Sequence, residues 1–182
     1  MKVILPKTRV DPELYRHKKL FFLAGPVRGG GDWQQHMCKE LDQLLVDYVV
    51  AIPQRYSDDH PLQQYRLSGD ENGFSRQLDW ESFYLDEASR SGGVVFWLGF
   101  ENAESPHPGP EPYAMDTRGE LGEWRTHKQY RPDVRLFIGA DERFYGLSQI
   151  ERNCKRQIGP DFRIYPSMRE LAHAAAGYGA VR

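Results

Sequence analysis

"KLFFLAGPVRGGGDW", residues 19–33, decides how the rest of the chain is read. An apolar run stops at Gly25, Pro26 to Arg28 follow, and three consecutive glycines lead into a segment of helical period. A strand, a glycine-bearing turn and a helix form the opening unit of a parallel sheet, because a crossover is needed to bring the next strand alongside in the same direction.

The same alternation recurs downstream. YVVAIP (48–53), GVVFWLGF (93–100), VRLFIG (134–139) and FRIYP (162–166) are short apolar runs bounded by turn residues, with helical segments between them. In DWQQHMCKELDQLLVDY (32–48), Met37, Leu41, Leu44 and Leu45 share a face, and FSRQLDWESFYLDEASR (74–90) reads with Leu78, Phe83 and Leu85 toward the core. The last two helices are expected to begin at Ser148 and Ser167, each followed three residues later by glutamate. The expectation is an α/β fold, a flavodoxin-like (Rossmann-like) three-layer sandwich around a five-stranded, mainly parallel sheet. Residues 1–182 read as a single domain, with 1–18 as an extra strand or an N-terminal arm.

Bulk properties narrow the partners. A chain of 182 residues can bury about two-thirds of its unfolded surface. The formal charge of -2 gives no reason to expect nucleic acid or a membrane surface as partner, so a small-molecule ligand is expected. The longest apolar stretch, GGVVFWLGF, falls far short of the roughly 20 residues of a membrane helix, and MKVILPKTRV is too short in apolar residues for a secretory signal. A cytoplasmic chain is the expectation. Cys38 and Cys154, in no metal or redox spacing, read as free thiols. His36, His60, His107 and His127 fall in segments read as surface, and no ligand spacing is present, so neither metal nor cofactor is expected.

Two long polar stretches, 55–73 and 101–116, follow the carboxyl ends of strands, where open parallel sheets bind ligands. Both are expected to cover a site, with 101–116 as the active-site loop. In the glycine loop, Gly25, Gly29, Gly30 and Gly31 would let a ligand approach the backbone, and Arg28 suits a phosphate. The spacing is neither the dinucleotide fingerprint nor a P-loop. The plain alternative is a turn into a helix capped by Asp32 with Gln35 as its partner. Trp97 reads either as core or as a surface for a stacked base.

TRGELGEW (117–124) carries the carboxylate of greatest interest. Thr117 and Glu120 have capping-box spacing, which makes Glu120 a helix-start residue. Gly119 and Gly122 flank it, however, and glycine costs roughly 1 kcal/mol in a helix interior. A ligand or backbone passing close would account for them. Glu81, in LDWESFYLDEA, lies on the helix before the third strand and can reach the same sheet edge, although an exposed helix acid is the plain reading. Two such acids suit glycosidic chemistry, one as nucleophile and one managing protons or a sugar hydroxyl.

The order FFLAGPVRGGGDW, WESFYLDEA, VVFWLGF, RGELGEW resembles the nucleoside 2-deoxyribosyltransferases and the related nucleoside 5′-monophosphate N-glycosidases, over about residues 20–139. The glycine loop is similar to the "GSIRGG" stretch of the glycosidases, and ELG to the family's nucleophile motif. The resemblance implies that Glu120 attacks the anomeric carbon and that Glu81, where the family has aspartate, holds the sugar and assists proton transfer. It further implies a substrate site including Phe22, Gly25, Arg28, Gly29, Gly30, Gly31, Asp116 and Arg118, no cofactor, and a homo-oligomer. Phe22 stands where the family commonly has a tyrosine. That difference supports the alternative of a catalytically silent nucleotide-binding or sensor module on the same fold.

Overall fold

Strands that are apolar on both faces need helices on both sides, and this chain supplies them. A computed structural model describes residues 1–177. Its strands are β1 (Lys2–Ile4), β2 (Lys19–Ala24), β3 (Tyr48–Ala51), β4 (Gly93–Leu98), β5 (Leu136–Ala140) and β6 (Ile164–Tyr165). Its α-helices are α1 (Trp33–Asp42), α2 (Gln77–Arg90), α3 (Met115–Tyr130), α4 (Leu147–Gln157) and α5 (Met168–Gly177). All strand pairs are parallel, in the order β1-β3-β2-β4-β5-β6. The fold is therefore the expected α/β sandwich, with six strands rather than five. The additional strand is β1, which comes from the segment read as strand or arm.

Side chains alternate across the sheet as the two-residue period requires. Phe22, Ala24, Val94, Phe96 and Ile138 face one core with Trp80, Tyr84 and Ala88 of α2, Leu121 and Trp124 of α3, and Ile150 and Cys154 of α4. Phe21, Leu23, Val95, Trp97 and Phe137 face the other, with Met37, Cys38 and Leu41 of α1 and Leu171 and Ala172 of α5. Trp97 is thus core, on the side away from Phe22. The two cysteines are free and buried on opposite sides of the sheet. Among the described residues no helix is long and apolar enough to cross a membrane.

Helix α2 buries Leu85 and packs Phe83 against the core as expected, but not Leu78. Trp80, Tyr84 and Ala88 recur every four residues and are fully buried, so Leu78, more than half a turn away from Trp80, is 66% exposed. The aromatic pair also ties down the chain's beginning. Trp80 Nε1 donates to Thr8 O at 3.2 Å, and the Tyr84 hydroxyl accepts from Val10 N at 3.0 Å while lying 3.3 Å from Thr8 O.

The loop 55–73 contains a 3-10 turn at Pro61–Tyr65 and bridges Val3 and Arg9 of the N-terminal segment through Arg66 and Asp70. It packs along that side of the sheet.

Three helix starts differ from the capping pattern in the sequence. Helix α3 begins at Met115, two residues before Thr117, after a cap at Ala114 in the left-handed region (φ 60, ψ 28), so Thr117 and Glu120 lie inside the helix and form no capping box. Helix α4 starts from Gly146 in the same conformation, one residue before Ser148. Asp32 occupies the cap position of α1 without a capping bond. Only Ser167 behaves as expected, its Oγ accepting from Glu170 N at 3.2 Å.

Gly119 and Gly122 are consequently interior helix glycines. A Cβ at Gly119 would meet nothing within 4 Å, and one at Gly122 only the end of the Arg125 side chain. No other backbone comes close to either glycine among the described residues. Replacing Gly119 by alanine should therefore stabilise the fold by about 0.5–1 kcal/mol through helix propensity and reduced unfolded-state entropy. Urea unfolding of Gly119→Ala against the parent measures it, and a destabilised variant would reveal a contact at this surface.

Candidate active site

Strand addition reverses between β2 and β4. From β2 the chain adds β3 on one side, then crosses to lay β4 on the other, so the segments after β2 and β4 diverge and leave a crevice at the sheet's carboxyl edge. A cavity of about 480 Å³ lies there. Phe22 and Gly25 to Arg28 come from β2 and its loop, Pro53 from the end of β3, Gln77, Leu78 and Glu81 from the start of α2, and Asp116, Thr117 and Glu120 from α3. Residues His107, Glu111, Pro112 and Ala114 of the loop after β4 close it. Residues 55–73 contribute nothing to the lining, so only the second long loop covers the site.

Helical geometry brings the acids together. Asp116 and Glu120 stand one turn apart on α3, while Glu81 comes from the second turn of α2. Gln77, one turn before Glu81, fixes it: Nε2 donates to Glu81 Oε1 at 2.8 Å and to Pro53 O at 3.1 Å, linking the acid to the end of a core strand. Glu120 is half-buried, and its carboxyl group is pushed up to about 7, first by desolvation and then by repulsion from Glu81, Asp116 and Glu123. Burial also raises Glu81, against the opposing hydrogen bond from Gln77, with Asp116 adding to the rise. Both carboxyl groups are thus pushed in the same direction, by burial first and then by neighbouring negative charge.

The glycine loop serves a different purpose from the one its sequence suggests. Gly25, Pro26, Val27 and Arg28 line the cavity, but Gly29, Gly30 and Gly31 do not. Gly29 (φ +77) lies under His107, where a Cβ would come within 2.8 Å of the His107 backbone nitrogen, and its carbonyl accepts from Asn102 N at 2.7 Å. A Cβ at Gly31 (φ +66) would reach Asn102 Nδ2 at 3.1 Å. These glycines let the β2 loop and the β4 loop pack backbone to backbone. Asp32 is likewise turned away, 3.2 Å from His60 Nε2 and 3.4 Å from the Tyr56 hydroxyl, with the Tyr56 and His60 rings stacked.

Arg118 also points elsewhere. Its guanidinium donates to Tyr145 O at 2.7 Å and lies over the Phe144 ring, lining a second cavity of about 440 Å³ with Phe100, Tyr113 and Arg143. Of the residues expected at a substrate site, the structure thus gathers Phe22, Gly25, Arg28, Glu81, Asp116 and Glu120, and leaves out Gly29, Gly30, Gly31 and Arg118.

His107 and Gln77 join the cavity without having been singled out. Gln77 carried a readable signal, its i,i+4 spacing to Glu81 on a helix. His107 carried none, since its place depends on the fold of a proline-rich loop. Its Nδ1 accepts from Gly109 N at 3.2 Å, which leaves the proton on Nε2. Among the described residues no three His, Cys, Asp or Glu side chains converge as a set of metal ligands. The chain matches no known family model and no curated protein.

The raised Glu120 carboxyl has a thermodynamic consequence of definite sign. The folded state holds its proton more tightly than the unfolded chain does, so stability falls as pH rises from the ordinary carboxylate range through about 7. Glu120→Gln removes that cost. It should stabilise the protein by on the order of 2 kcal/mol more at pH 8 than at pH 5, read from denaturant melts at both pH values. An equal effect at both would mean that Glu120 ionises as an ordinary surface acid.

Proposed function

We propose that this protein cleaves the N-glycosidic bond of a nucleoside or nucleoside 5′-monophosphate, using Glu120 as the nucleophile and passing the sugar to water or to a second base. The observation that carries the reading is the meeting of Glu81 and Glu120, from two helices, in one cavity at the sheet's switch point. The likeness of FFLAGPVRGGGDW, WESFYLDEA and RGELGEW to nucleoside 2-deoxyribosyltransferases and nucleotide N-glycosidases supports the same assignment.

The chemistry follows from charge. As the bond to the base lengthens, the sugar becomes oxocarbenium-like, and an ionised carboxylate held in a partly desolvated cavity stabilises that cation more than water does. Glu120 then bonds to the anomeric carbon, forming a glycosyl ester. Glu81, kept in place by Gln77, is positioned to bind a sugar hydroxyl and to exchange a proton. Phe22 at the cavity wall offers packing but no hydroxyl, so orientation of the nucleophile falls to the helix itself.

Incubation with ribo- and deoxyribonucleosides and their 5′-monophosphates, followed by chromatography for free base, tests the proposal directly. Base should appear with at least one substrate, and Glu120→Ala should lose about a thousandfold in rate, since it removes the attacking group. The parent's rate should rise with pH through about 7, as Glu120 ionises. Absence of base from every substrate, or a fully active Glu120→Ala, would refute the assignment.

A further inference from the structure

The charge around Glu120 specifies the substrate further, on the premise that the cavity cleaves N-glycosidic bonds as proposed above. Glu81, Glu111, Asp116 and Glu120 line it, and Arg28 is its one arginine or lysine among the described residues. His107 lines it too, while the glycines and the second arginine expected to hold a phosphate are turned away. Gly29 packs against His107, Gly30 against Pro26 O and Gly31 against Asn102, and Arg118 is held on Tyr145 O and the Phe144 ring. The start of α3 opens onto the cavity, but Asp116 already sits in its first turn, against the positive end of the helix dipole. A 5′-phosphate would bring roughly two more negative charges into this setting.

We infer that the cavity selects N-glycosides whose base carries a positive charge, such as a ribosylated pyridinium or an N7-alkylated purine nucleoside with a free 5′-hydroxyl, over nucleoside 5′-monophosphates. The ring of carboxylates attracts such a base in the ground state. It also suits the bond-breaking step: Glu120 Oε bonds to the anomeric carbon, the C–N bond breaks, and its electron pair neutralises the base. The base departs uncharged without needing a proton. Water then attacks the ester, one proton passes to Glu81 or solvent, and the free sugar and the Glu120 carboxylate are restored. An uncharged base would instead leave as an anion among carboxylates unless it were protonated first.

The test compares N7-methylguanosine and N-ribosylnicotinamide with guanosine and guanosine 5′-monophosphate, and their 2′-deoxy counterparts, at low and high ionic strength. Cationic bases leave more easily from any active site, so the readouts are the salt dependence of kcat/KM and its change in Asp116→Asn, an exposed position. For the cationic substrates, kcat/KM should fall several-fold with added salt, and for the monophosphate it should stay flat or rise. Asp116→Asn should lower the preference for cationic over uncharged substrate by about fivefold. Cleavage of guanosine or its monophosphate, with no salt dependence for the cationic pair and an unchanged ratio in Asp116→Asn, would overturn the substrate class while leaving the glycosidase reading intact. Release of base from no member of the panel would overturn both.

Discussion

A parallel sheet whose strands are apolar on both faces must be covered twice, and a single chain can do that only by reversing the direction in which it adds strands. In this protein the reversal falls between β2 and β4. Helix α1 leaves β2 toward one face, and α2 and α3 occupy the other. The crevice at the carboxyl edge is a product of that divergence. The position of every acid in the cavity depends on it. Phe22 reaches the lining because it is on the α2 and α3 side of β2, and Trp97 cannot because the alternation puts it on the opposite side.

Keeping the crevice open while crowding carboxylates into it needs support from the surrounding packing. Trp80 and Tyr84 anchor α2 to the sheet and to the N-terminal segment, so that the first two turns of the helix stand at the cavity without being pulled into the core. Gln77 then joins the carboxyl end of Glu81 to Pro53. On the opposite wall, the glycines after β2 let the 101–114 segment approach closely enough for Asn102 N to donate to Gly29 O. The left-handed Ala114 turns that segment into α3 and costs on the order of 1 kcal/mol, because an alanine Cβ is crowded in this conformation. Such strain at a cavity wall is consistent with a loop shaped by its site rather than by local propensity.

The legible part of this architecture was the part governed by local periodicity. Strands β2 to β5 each extend over four to six residues that are apolar on both faces, and no tertiary knowledge is needed to see them. β1 has three residues, too few to display a period, and its pairing with β3 is settled by a strand far along the chain. Leu78 reads as core by residue type alone, but the four-residue recurrence of Trp80, Tyr84 and Ala88 sets the buried face of α2 and leaves it outside. Thr117 was misplaced for a different reason. Where α3 begins is decided by the backbone at Ala114, and capping-box spacing inside an established helix has no capping to do. The glycines at 29–31 suggest space for a ligand, yet at Gly29 and Gly31 that space is taken by a loop some seventy residues later, a contact that no local pattern announces, and at Gly30 by Pro26.

In the sequence Glu120 stands out through Thr117, Gly119 and Gly122, and in the fold those neighbours play other parts. Its capping role is gone, and Gly119 meets nothing. What replaces them is electrostatic. An interior helix position chosen for stability would not place Asp116 one turn before Glu120, since like charges at that spacing repel, nor face Glu81 toward both. The arrangement raises the energy of ionised Glu120 in the free protein, and in the reaction proposed above positive charge on a sugar or base would lower it. A cavity that is costly when empty and relieved by a cation is differential binding in its simplest electrostatic form. Arg28, the one arginine among the described lining residues, leaves most of that negative charge uncompensated and therefore open to a cationic ligand of the kind inferred above.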